Sequence, residues 1–141
     1  MNKKEIVLVA LVPANGDIHT PVQVQKLLFL IDRNVTDTIN GEHFNFSPYS
    51  YGPFDIEVYK TLEQLGYDDF VEINREETWE TYRLTVKGQE RGNQLFEPLD
   101  ETVRNYVIAL SEFVHKLTFN QLVSAIYKAY PEMRVNSVFR D

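Results

Sequence analysis

The order of periodic segments predicts an α+β, mostly helical fold, with three helices, then a β-hairpin, then further helices. Three observations support this. Two capping-box patterns, Thr20 with Gln23 and Thr118 with Gln121, each stand directly before a three-four apolar stripe. Phe70 to Ile73 alternates, and Trp79 to Leu84 returns across a turn at Asn74–Thr78, as paired strands do. The chain is 43% hydrophobic and 13% aromatic, enough apolar material for one packed core.

The elements follow in order. Lys3 to Val12 contains Ile6, Leu8, Val9 and Val12 and reads as a short buried helix, stopped by Pro13, Asn15 and Gly16. Thr20 caps the next helix, Pro21 takes its first position, and Val22, Val24, Leu27, Leu28, Leu30 and Ile31 form its stripe. Val35 to Tyr51 is irregular, with a turn at Asn40-Gly41 and the aromatic string Phe44, Phe46, Tyr49 and Tyr51. Gly52-Pro53 is expected to open the third helix, with Ile56, Tyr59, Leu62 and Leu65 facing inward and Gly66 ending it. After the hairpin near 70–84, Thr85 caps a helix through Lys87, weakened by Gly88 and Gly92. Pro98 and Asp100 introduce a long helix with Val103, Tyr106, Val107, Leu110, Phe113, Val114 and Leu117 in register. The last helix places Phe119, Leu122, Val123, Ile126, Tyr127 and Tyr130 on one face and halts at Pro131.

Three helices followed by a β-hairpin is the arrangement of a winged helix-turn-helix core. That core is expected over 1–97, with 98–141 as a C-terminal helical hairpin in the same structural domain. The apolar seam of residues 100–117 suits either packing against the last helix or pairing with a second copy.

The absence of cysteine excludes disulfides, thiolate metal sites and a cysteine nucleophile, and agrees with a cytoplasmic setting. The apolar run Ile6 to Pro13 is far shorter than the ~20 residues of a membrane span. His19, His43 and His115 are single and far apart, without metal-ligand spacing. No glycine-rich phosphate loop or Gly-x-Ser-x-Gly elbow is present. Neither a catalytic residue nor a cofactor or metal site is therefore expected.

The placement of charge narrows the partner. Between Pro53 and Glu80 stand Asp55, Glu57, Glu63, Asp68, Asp69, Glu72, Glu76, Glu77 and Glu80 against two bases, Lys60 and Arg75, so this stretch holds the whole net charge of −7. It spans the third helix and the wing, the two elements that meet DNA in a winged helix. DNA binding rests on Lys/Arg contacts with phosphate, and like charges within a Debye length, ~8 Å at physiological salt, oppose it. A protein partner is therefore expected, steered by the acidic face and anchored on aromatic residues. Tyr49, Tyr51, Phe54, Glu57 and Glu63 are the candidate partner-binding residues, and two of the five aromatics from Phe44 to Phe54 are expected to be exposed. The alternative is a dimeric DNA-binding regulator reading through Lys60, Thr61, Gln64 and Arg75.

A resemblance bears on the same choice. Gln25-Lys26-Leu27-Leu28-Phe29-Leu30-Ile31-Asp32-Arg33, then Tyr51-Gly52-Pro53-Phe54, then Tyr59 and the leucines after it resemble the Panacea domain of phage-associated proteins and SocA-type antitoxins. The resemblance implies a bacterial cytoplasmic protein with a winged-helix-like core, acting as an antitoxin or adaptor through another protein. Asp32-Arg33 is expected to hold the irregular stretch that follows it. The assignment of faces on the third helix is directly testable. Leu62→Asp should unfold the chain, since an unpaired carboxylate would enter the core at several kcal/mol, whereas Glu57→Lys should leave the thermal midpoint nearly unchanged.

Overall fold

The computed structural model describes residues 1–35, 39, 42–76 and 78–140. Its centre is helix α1, Lys3–Leu11, closed at its N-terminus by a capping box between Asn2 and Glu5. Ile6 through Leu11 are all buried, so this helix is apolar on every side and has neighbours on every side. Asn15 (φ 50°) and Gly16 (φ 89°) then reverse the chain. His19 bridges in antiparallel fashion to Tyr82, with backbone bonds of 2.7 and 3.0 Å, before Thr20 and Gln23 close the cap of α2, Pro21–Asn34.

Next come two short strands, β1 (Ser47–Tyr49) and β2 (Gly52–Phe54), antiparallel with Ser47 opposite Phe54 and Tyr49 opposite Gly52. Helix α3 follows at Ile56–Tyr67. Strands β3 (Val71–Asn74) and β4 (Thr81–Leu84) form the second antiparallel pair, with Val71 opposite Leu84. Three helices complete the chain: α4 (Val86–Phe96), α5 (Glu101–Lys116) and α6 (Phe119–Ala129), then a 3-10 turn at Pro131–Arg134. The fold is α+β and mostly helical. Around α1 lie α2, α3, α4, α5 and β4, and residues of α5, α6 and the last turn enter the same hydrophobic core.

Several expectations are corrected. Gly52-Pro53 does not open a helix. Gly52 takes φ 106° at the end of a tight turn, Pro53 lies in β2 opposite Pro48, and Asp55 provides the cap of α3. The buried face of α3 is Val58, Thr61, Leu62 and Leu65, while Ile56 is half exposed at the first helical position. Strict three-residue steps from Ile56 drift off a 3.6-residue period, and Val58 sets the phase instead. Gly66 sits inside the helix against Ile73, and Asp69 (φ 63°) makes the left-handed turn after it.

Gly88 and Gly92 do not weaken α4 but allow it to dock. A side chain at Gly88 would overlap the Phe70 carbonyl oxygen, and one at Gly92 would overlap the Val12 side chain. The two C-terminal helices pack on the core. The α5 stripe of Val103, Val107 and Val114 is buried, and α5 packs on α2 and α1, while α6 packs on β2 and the last turn. Tyr106 of the same seam is exposed, and Leu110, Phe113 and Leu117 are half-buried. The Asn40-Gly41 turn and Glu77 lie outside the described residues.

Candidate binding surface

Helix α2 positions the surface through three buried polar side chains. The Gln25 amide donates to Asp55 O at 3.0 Å and accepts from Asp55 N at 3.1 Å, pairing with that residue's backbone as a neighbouring strand would. Lys26 is almost fully buried, donates to Pro53 O at 3.3 Å, and has its pKa lowered by burial to about 8. Gly52 lies against it, where a Cβ would make ordinary contact at 3.4 Å with Lys26 Cε and Tyr127 Cε1, and its φ of 106° is what favours glycine there. Two turns along the helix, Asp32 Oδ2 accepts from His43 N at 2.9 Å and Phe44 N at 2.8 Å, and Oδ1 faces His43 Nδ1 at 3.2 Å. These contacts hold residues 43–55 at both ends, and they involve the same Gln-Lys, Asp and Gly-Pro positions that make up the recognised phrases.

The held segment displays aromatic rings. Tyr49 is 56% exposed and Tyr51 43%, whereas Phe44 is buried and Phe46 and Phe54 are half-buried. Phe54 lies 5.0 Å from Tyr49 and 5.6 Å from Tyr59 between ring centroids. Tyr51 meets Phe119 edge-to-face at 5.2 Å, and Phe119 is itself 44% exposed. Sequence reasoning placed Phe119 with the inner face of α6. The missed signal was its place directly after the Thr118 cap, where the first helical residue projects beyond the packed turn.

The acidic stretch is less uniform than its sequence suggested. Glu57 reaches Lys3 (3.9 Å) and Lys60 (3.5 Å), Asp68 reaches Lys4 (3.8 Å), and Glu72 reaches Arg83 (3.3 Å). Lys87 donates to Asp68 O at 2.8 Å. Lys3, Lys4, Arg83 and Lys87 thus bring positive charge from outside the stretch onto its surface, correcting the picture of a face loaded with −7. The candidate DNA readers fare unevenly. Lys60 and Gln64 are exposed, but Thr61 is buried and donates its hydroxyl to Glu57 O at 2.7 Å, because it falls on the inner phase of α3. Arg75 is gripped by Glu63 at 2.6 and 2.8 Å with Glu80 behind it. A shallow groove of about 230 Å³ runs beside that pair, lined by Gly66, Tyr67, Val71 and Ile73.

The histidines are dispersed. His43 pairs with Asp32, and its Nε2 lies 2.9 Å from Met1 O. His19 is wholly buried at the bridge to β4, and its ring meets His115 of α5 edge-on at 4.4 Å. Among the described residues no group of three or more His, Asp or Glu is placed to hold a metal ion. The chain matches no known protein-family model, no curated protein and no solved structure.

Burial, reinforced by His115, lowers the His19 pKa from 6.5 to about 3. The unfolded chain therefore takes up a proton that the folded chain refuses. The contribution of neutral His19 is whole above pH 6.5 and is lost as the pH falls toward 3. Between pH 7 and pH 5 this one ring should lower the unfolding free energy by about 2 kcal/mol. His19→Phe keeps an aromatic edge against His115 and should remove that increment in urea titrations at the two pH values. An unchanged pH dependence in the variant contradicts the assignment.

Proposed function

We propose that the chain is a non-catalytic, winged-helix-type binding module whose partner is a protein, engaged through the aromatic face around the β1–β2 turn. Support for the winged-helix reading comes from the element order and from the His19–Tyr82 bridge, which puts a third strand position beside β4. On that reading α3 occupies the recognition position, β3–β4 is the wing, and β1–β2 is an insertion between α2 and α3. The resemblance to antitoxin-type domains supports an antitoxin-like or adaptor role in the cytoplasm. Among the described residues no helix is long and apolar enough to cross a membrane.

The observation that carries the proposal is the exposure of Tyr49, Tyr51 and Phe119, with Tyr49 set against Phe54 and Tyr51 against Phe119 of α6, at a hairpin latched by the hydrogen bonds of Gln25. Aromatic anchors on a rigid support bind proteins well, because little side-chain freedom remains to be lost on association. Glu57 and Glu63, the acidic candidates of the sequence, are engaged instead by Lys3 and Lys60 and by Arg75. Reading DNA through α3 is disfavoured more by pairing than by bulk repulsion. Arg75 would have to leave Glu63 to meet a phosphate, and Thr61 has no access to a base.

Photo-crosslinking in native cells distinguishes the readings. A benzophenone side chain at Tyr51 should trap a discrete protein, while the same group at Glu112, exposed on α5, should not. A probe at Lys60 yielding DNA, with retention on duplex that weakens steeply above about 100 mM salt, would replace the proposal with the regulator. Equal trapping at Tyr51 and Glu112 would remove the aromatic face from consideration.

A further inference from the structure

Residues 135–140 form neither helix nor strand, yet they are seated on the aromatic face in a defined way. Val138 N donates to Ser50 O at 3.0 Å, and the Ser137 hydroxyl donates to the same carbonyl at 3.2 Å. Asn136 Nδ2 donates to Pro48 O at 3.3 Å. Ser137 Oγ in turn accepts from the Tyr127 hydroxyl at 2.6 Å and from Phe139 N at 3.0 Å. Phe139 is 6% exposed, with its ring 6.2 Å from those of Phe119 and Tyr127. Around this anchor, Val135, Asn136, Val138 and Arg140 are exposed. The chain thus treats its own β1–β2 turn as a receptor for an extended peptide. Backbone carbonyls at Pro48 and Ser50 accept from the segment, and an aromatic pocket between α6 and the turn reads one ring.

We propose that the partner docks as an extended segment with an aromatic side chain, taking the place of residues 135–140 on the β1–β2 turn. This rests on the reading of the chain as a protein-binding module. The contacts shown are backbone, amide, hydroxyl and ring contacts, which a segment of another protein can reproduce with one aromatic residue and an extended backbone. Release is local. One buried ring and a few hydrogen bonds oppose the freedom that six ordered residues would regain, and no helix or strand must unravel. The seated segment sets a threshold, since an incoming peptide finds its site only in the fraction of molecules where residues 135–140 have lifted.

The test uses the full chain and a fluorescent synthetic peptide with the sequence of residues 134–140. Phe139→Ala, which empties the pocket, should bind the peptide about tenfold or more tightly than the wild-type chain does, as expected when the internal competitor is removed. Replacing the peptide's own phenylalanine by alanine, or introducing Tyr51→Ser with Phe119→Ser in the chain, should abolish binding. If Phe139→Ala does not fold, Val138→Pro serves instead, because it removes the amide that donates to Ser50 O and restricts Ser137 beside it, while the Val138 side chain is exposed. In the wild-type chain, the Val138 amide should exchange with solvent about a hundredfold or more faster than that of Val9 in α1. A folded variant that ignores the peptide, or Val138 exchanging only as fast as Val9, overturns the inference. Specific trapping at Tyr51 would still stand in that case, so failure here and failure of the protein-binding reading give different results.

Discussion

The structure depends on buried polar side chains of α2 standing in for a missing strand. Residues 43–55 leave the helical layer, and their backbone donors and acceptors require partners away from water. Gln25 supplies both a donor and an acceptor to Asp55, Lys26 supplies a donor to Pro53, and Asp32 accepts from His43 and Phe44. Each is expensive to bury alone, and Lys26 shows the strain in its depressed pKa. Matched to backbone they become position-specific clamps. The same clamps set where α3 begins, because the Asp55 carboxylate caps that helix by accepting from Glu57 N while its backbone is held by Gln25.

From this constraint the rest of the arrangement follows. A hairpin too short to be stable by itself is fixed against α2, and its turn carries Tyr49 and Tyr51 outward beside Phe119. On the other side of α3, the acids of α3, its C-cap and β3 share their surface with Lys3, Lys4 and Arg83, so the exposed ion pairs contribute little stability and mainly even out the field. The molecule therefore has a charge-balanced face at α3 and the β3–β4 hairpin, and a ring-rich face at the β1–β2 hairpin.

Much of this fold could be read from the sequence where local chemistry determines structure. The caps at Thr20 and Thr118 form with Gln23 and Gln121 as expected, Thr85 caps α4, and α1 is buried as its composition suggested. Legibility failed where tertiary contacts overrode local preference. Gly52-Pro53 resembles a helix start, and only the Gln25 and Lys26 clamps, distant in sequence, make it a strand. Gly88 and Gly92 look like weak points until Phe70 and Val12 are placed against them. Charge counted by segment could not reveal that the lysines of α1 lie beside the acids of α3 and β3. Tyr49 and Tyr51 were identifiable as candidate anchors, but Phe119 and the seat for Phe139 were not, since they arise where α6 meets a hairpin nearly seventy residues earlier in the chain.

The measurement closest to the central claim is amide exchange across the hairpin in Gln25→Leu. The substitution keeps the volume buried but orphans Asp55 N, at about 1–3 kcal/mol for a group left unsatisfied, while Asp55 O keeps only its bond from Val58 N. The account predicts that the chain stays folded, that α1 amides keep their protection, and that the amides of Tyr49, Gly52 and Phe54 lose theirs together. Hairpin protection unchanged from the wild-type chain, with α1 equally intact, would show that Gln25 does not hold the segment and would contradict the account.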